Sequence, residues 1–138
     1  MKRVIFYIWA MPCSLIGMTL GFLFIVFGGS VIIHSGILEF TGGGFGQTIK
    51  RLPKNIAFCA ITFGHTVLAV DRDTMEIVRA HEQVHVRQYE RWGILFFAAY
   101  LLSSLFQLLT GRHPYFDNYF EREARAKSAQ CPLARFSK

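Results

Sequence analysis

Two histidines four residues apart with a glutamate directly after the first, His81-Glu82-Gln83-Val84-His85, form the HExxH pattern. On a helix, positions i and i+4 share one face, so both imidazoles can reach one Zn²⁺ at about 2.0–2.1 Å. Glu82 is one position further round, too offset to share coordination but able to lean over the open side of the metal. There it can hold a water that zinc acidifies, take its proton during attack on a carbonyl and hand that proton to the leaving group. With five His and six Glu in 138 residues, composition alone yields roughly 0.006 such patterns, so chance explains it poorly. A helix whose two histidines simply hydrogen-bond to core carbonyls is the competing structural reading.

A catalytic zinc requires a third protein ligand, normally His, Cys, Asp or Glu. The extended HExxHxxGxxH form is absent, the chain reading Tyr89-Glu90-Arg91 there, so the ligand must come from further on. Asp117-Asn118 can cap a last helix over Tyr119 to Ala126. On it Glu121 is the first choice of ligand and Glu123 the second. Both also fit plain i,i+4 ion pairs, Glu121 with Arg125 and Glu123 with Lys127, and Glu121 fits a capping box with Asn118. His113 or Tyr115, in the preceding loop, could stabilise an oxyanion, although each also suits an ordinary surface turn. His65 reads as a strand residue and His34 as a residue at a membrane exit.

The elements that must position these groups follow from periodicity. Ile77, His81, Val84, His85, Gln88 and Trp92 recur at helical spacing, and Asp73 with Glu76 fits a capping box, predicting a helix from Thr74 to about Arg91. Ile56 to Val70, β-branched and aromatic with Gly64 near its middle, predicts one bent strand or two short ones. From Ile61 onward it could offer an edge to an extended peptide. A strand such as Val31 to Phe40, of which Ile37 to Phe40 reads as a short strand, comes earlier, followed by a flexible Thr41–Gly46 connection that lacks the ending of a phosphate loop.

Two charge-free blocks raise the apolar content to 52% and exclude intrinsic disorder. Val4 to Ile33 is far longer than the roughly 7–15 residues of a cleaved signal core, and predicts an uncleaved transmembrane signal anchor over 1–30, with Pro12 as a kink or an effective start. Trp92 to Gly111 is about 20 residues, but Gly93, Ser103, Ser104 and Gln107 weaken it as a span. It is expected as an apolar, membrane-associated helix at 92–110 within a single metal-binding domain, 31–138. The net charge of +6 carries no aromatic-interleaved stripe and does not indicate nucleic acid; Lys50, Arg51 and Lys54 form a solvated or headgroup-facing cluster. Lys2 and Arg3 favour a cytoplasmic N-terminus and an external domain. Three cysteines without a CxxC pair give no disulfide framework, leaving open one bridge between Cys59 and Cys131.

His81-Glu82-x-x-His85, a gap of some 35 residues and Glu121-x-x-Ala124 resemble the gluzincin metallopeptidases, in particular the membrane-bound zinc proteases of the prenyl-protease and heat-shock type. The wider HExxHxxQ…ExEA pattern, with Gln88 and Glu121-Arg122-Glu123-Ala124, is similar to that of small bacterial proteins with metallopeptidase-like domains. The resemblance implies an α+β zincin-like fold, one zinc ion, a peptide or protein substrate and a bacterial inner-membrane location among lipids. Two spans separate the corresponding motifs in those proteases, and the second block here is too short for two. Where that pattern has an Asp supporting a zinc histidine, this chain has Arg125; Asp117 is a conceivable substitute. The expected function is that of a membrane-anchored zinc metallopeptidase. The alternative is a non-enzymatic membrane scaffold with a structural or degenerate zinc site.

Overall fold

The uncharged N-terminal run forms α1 (Lys2–Val26), which continues through Pro12. The computed structural model describes residues 2–52 and 59–128, and α1 is the first of five helices and four strands among them. It is followed by β1 (Gly29–His34), β2 (Ile37–Gly42), α2 (Gly43–Lys50), β3 (Ala60–Phe63), β4 (Thr66–Ala69), α3 (Arg72–Trp92), α4 (Leu95–Leu109) and α5 (Tyr119–Lys127). The chain is α+β, with one mixed sheet in the order β1-β2-β4-β3. β2 and β4 run parallel and the other pairs antiparallel.

The short strand read at Ile37 to Phe40 lies within β2, but a single strand over Val31–Phe40 is instead a hairpin, because Ser35 and Gly36 both adopt positive φ, 54° and 83°, the geometry of a tight two-residue turn. The flexible connection expected at Thr41–Gly46 is likewise corrected: it completes β2 and opens α2. Gly64 divides the later strand run into β3 and β4. Its predicted start at Ile56 to Phe58 lies outside the described residues, as do Lys54 and Cys131.

Side-chain alternation gives the sheet two apolar faces. Leu68 and Phe40 pack with Phe24 of α1 and Ile49 of α2, while Ile37, Val67 and Ala69 pack with Met75 and Val86 of α3. All four β4 residues are therefore buried. On α1 the buried positions are Ala10, Cys13, Ser14, Gly17, Gly21 and Phe24, a stripe at spacings of three and four. Its small residues admit close approach: a Cβ at Gly21 would lie 2.5 Å from the Phe40 ring.

α3 begins two residues before the Thr74 expected, since the cap is not Asp73 but Asp71, whose carboxylate accepts the Thr74 N–H at 2.6 Å. Asp71 also pairs with Lys50. At Gly93, where φ is +56°, the chain turns by 114° into α4. The second apolar block is thus a 15-residue helix. Its two serines face α5: Asn118 donates to the Tyr100 carbonyl at 3.0 Å and to Ser104 at 2.7 Å, and Ser103 accepts the Tyr119 N–H at 3.0 Å.

Candidate metal centre

α3 and α5 pack together, and between them three buried side chains converge. His81, His85 and Glu121 are 2%, 6% and 3% exposed. The two Nε2 atoms are 3.1 Å apart, His81 Nε2 lies 3.2 Å from Glu121 Oε2, and His85 Nε2 lies 3.3 Å from Glu121 Oε1. These three residues form a group that could hold a metal ion. Asn118 caps α5 by accepting the Phe120 N–H at 2.9 Å. Glu121, in the first turn, is thereby aimed at α3 instead of closing a capping box. Its ion pair with Arg125 is long, 3.9 Å.

Burial alone would push Glu121 up, but the two imidazoles hold its carboxyl well below the usual carboxylate range. Burial disfavours the His85 imidazolium, yet the hydrogen bond to Glu121 and the charges of Glu82 and Glu121 outweigh it and lift His85 to about 9. Tyr100, whose phenol is pushed up by burial and by Glu121, stays protonated and donates to Glu121 Oε1 at 2.9 Å. Glu121 Oε2 is buried without a hydrogen bond, and is thus available to a cation.

Gln88 organises His85. Its amide N–H groups go to the Phe120 carbonyl at 3.1 Å and to Glu123 Oε2 at 2.8 Å. The amide oxygen therefore faces His85 Nδ1 at 2.8 Å. This arrangement keeps a proton on Nδ1, so that the ring, once neutral, presents Nε2 to a metal. Sequence reasoning noted Gln88 as part of a pattern without giving it this role. Glu123, the second-choice ligand, turns away from the imidazoles toward Gln88, Lys127 at 2.6 Å and Arg91 at 3.5 Å. Asp117 supports no histidine of the cluster; it accepts the backbone N–H of His113 at 2.9 Å. His81 Nδ1 is buried without a hydrogen-bond partner. Arg125 donates instead to the Phe116 carbonyl.

Glu82 is buried beside the cluster, and one of its oxygens accepts the Thr62 hydroxyl of β3 at 2.6 Å. Glu82, the three cluster residues, Thr62, Tyr100 and Tyr115 line a cavity of about 190 Å³. The lining puts Tyr115 at the site, but not His113, whose Nδ1 accepts the Tyr115 and Phe116 N–H groups at 3.2 and 3.1 Å in an exposed turn. β3 is the sheet edge at this cavity; β4, included in the expected edge, is interior. His65 is a buried turn residue between them, stacked on Tyr7 and 3.2 Å from Glu90. His34 is exposed at the end of β1. Set against known protein families, curated proteins and solved structures, the chain matches none.

Proposed function

We propose that the protein is a membrane-associated zinc metallopeptidase in which Glu82 is the proton-transferring group. The observation that carries this reading is a cluster of two imidazoles and one carboxylate that shares a cavity with Glu82. Donors about 2.0–2.1 Å from a tetrahedral ion lie about 3.3–3.4 Å from one another; here the two Nε2 atoms are 3.1 Å apart, each lies 3.2–3.3 Å from a different oxygen of Glu121, and one ligand atom from each residue falls within 4.8 Å of the others. Structural zinc sites close with four protein ligands, whereas catalytic sites keep one position for water or substrate. Three donors beside a cavity suit the second kind.

His81, His85 and Glu121 would hold the zinc, which when bound would acidify water and polarise a carbonyl oxygen. Gln88 keeps His85 in its ligating tautomer, and Tyr100 orients the Glu121 carboxylate. Thr62 fixes Glu82 Oε2, leaving Oε1 to accept a proton from the attacking water and return it to the leaving amine. An extended peptide has a natural path along β3, which lines the cavity and, among the described residues, pairs only with β4.

Metal analysis of the purified full-length chain is the test. One zinc per chain is expected for wild type and for Glu123→Ala, and a large loss for Glu121→Ala. Glu82→Gln should keep its zinc while cleavage of a quenched fluorescent peptide library drops at least 100-fold. A silent Glu82→Gln, with His81→Ala unfolding the domain, would instead identify a metal that staples a non-enzymatic scaffold.

A further inference from the structure

α1 is long and apolar enough to cross a bilayer, yet one face of it is already occupied along its length. Near its start the Tyr7 hydroxyl donates to the Gly36 carbonyl at 2.8 Å, and Trp9 lies against Gly93 at the head of α4. In the middle Ser14 Oγ accepts the His65 N–H at 2.9 Å, and Gly17 sits against Thr66 and Phe63. Further on, Gly21 meets Phe40 and Phe24 enters the sheet core; at the end the Phe27 carbonyl accepts the Gly44 N–H at 2.8 Å. From Tyr7 to Phe27 at 1.5 Å per residue is about 30 Å, the whole thickness of the hydrocarbon core. No length is left over for a separate crossing.

If this helix stood across the bilayer, everything packed along it would stand at the same depth. That includes β1, whose outer edge is unpaired among the described residues, and open sheet edges do not occur in hydrocarbon. It also includes α3, which leaves β4 near Phe24 and ends at Trp9, carrying the exposed charges Arg72, Asp73, Glu76 and Arg87. We propose that α1 lies in the plane of the membrane, with its outer face in one leaflet and its inner face on the sheet, so that the protein is monotopic and both ends of α1 stay on the same side.

The occupant of this face is lipid. Ile5, Ile8, Leu15, Ile16, Phe22 and Val26 are each at least half exposed, and the hydroxyl of the exposed Thr19 is satisfied internally by the Leu15 carbonyl at 2.9 Å. The apolar face continues onto α4, whose start meets Trp9 and whose Leu101, Leu102, Leu105 and Leu109 point outward while Ser103 and Ser104 bond to the start of α5. An apolar face spread over two helices, with the exposed charges of α3 on the opposite side of the sheet, matches an interfacial helix seated about 5–10 Å into a leaflet. This inference is independent of the metal reading.

Site-specific labelling tests it in the full-length chain. Lys2→Cys at the start of α1 and Gln47→Cys, exposed on α2 beside the far end of α1 where the Phe27 carbonyl accepts the Gly44 N–H, each with Cys59 and Cys131 changed to Ser, are expressed in membranes and treated with an impermeant maleimide. Both are expected to react in the same class of vesicle, right-side-out or inside-out; reaction in opposite classes overturns the proposal. Depth gives a second readout in vesicles of three parts phosphatidylcholine to one part phosphatidylglycerol, carrying lipids brominated at known depths. Ile5→Trp, Ile16→Trp and Val26→Trp, with Trp9 and Trp92 changed to Phe, should report one shared, shallow depth. A maximum at residue 16 means a crossing, and a water-soluble dimer that lipid does not quench means a protein partner; either result overturns it.

Discussion

Gln88 holds His85 in the tautomer that bares Nε2, and it can do so because its own donors are occupied on α5 by Phe120 and Glu123. Replacing it by Leu should weaken zinc affinity about 10–100-fold with the fold intact, measured by competition against a chromophoric chelator. His85 also couples the site to pH. In chelator-treated protein its value of about 9 lies above the 6.5 of the unfolded chain, so the protonated His85–Glu121 pair stabilises the fold fully below about pH 6.5. That contribution fades as the pH climbs through about 9. Zinc requires the neutral ring. Thermal unfolding should therefore show the chelated protein losing stability between these two pH values, with the zinc-loaded protein nearly flat across them.

At the scale of elements, the start of α3 and the inner face of α1 each rest on a small number of atoms. Burial pushes Asp71 up, but hydrogen bonds from Lys50 and Thr74 outweigh it and hold the carboxyl at about 2. Because this lies below the unfolded value of 3.8, its stabilisation is complete above that pH and is lost as the pH falls through about 2. Asp71→Asn keeps a capping oxygen but not the charge. Its stability deficit should shrink to nothing on acidification, as read from acid-unfolding curves. On α1, Gly21→Val drives a side chain into Phe40 and should cost at least about 1–3 kcal/mol. Gly44→Ala, whose new Cβ would meet nothing closer than 3.7 Å, should be neutral or stabilising by up to about 1 kcal/mol. Thermal midpoints in detergent separate the two.

For the whole molecule, α1 is one of the layers that enclose the sheet. Removing it uncovers Phe40, Leu68 and Val70, which pack on Phe24, at about 1.5–3 kcal/mol for each large apolar side chain exposed. It also frees the turn at His65, next to the strand whose Thr62 holds Glu82. A chain lacking residues 1–27 should be recovered insoluble, or unable to bind zinc. A truncated form with full zinc content would show that α1 is dispensable to the site.

His81, Glu82 and His85 are legible in the sequence because a helix fixes side-chain direction from spacing alone, and Asn118 announces the start of α5 in the same local way. The amphipathic pattern likewise foretells α3, and Gly64 the division of β3 from β4. Which glutamate joins the histidines is not a local property. Glu121 and Glu123 have nearly the same sequence context, and only the packing of α5 on α3 turns one toward the imidazoles and the other toward Gln88 and Lys127. The hairpin at Ser35 and α2 within a glycine-rich run also escape local rules. The disposition of α1 does so most completely: hydropathy registers that a helix is apolar, but the stripe of Ala10, Ser14, Gly17 and Gly21 becomes a docking face only once a sheet lies against it. Spacing along one helix is set by covalent geometry, whereas contacts between elements distant in the chain are set by the free energy of packing them, and that is decided in three dimensions.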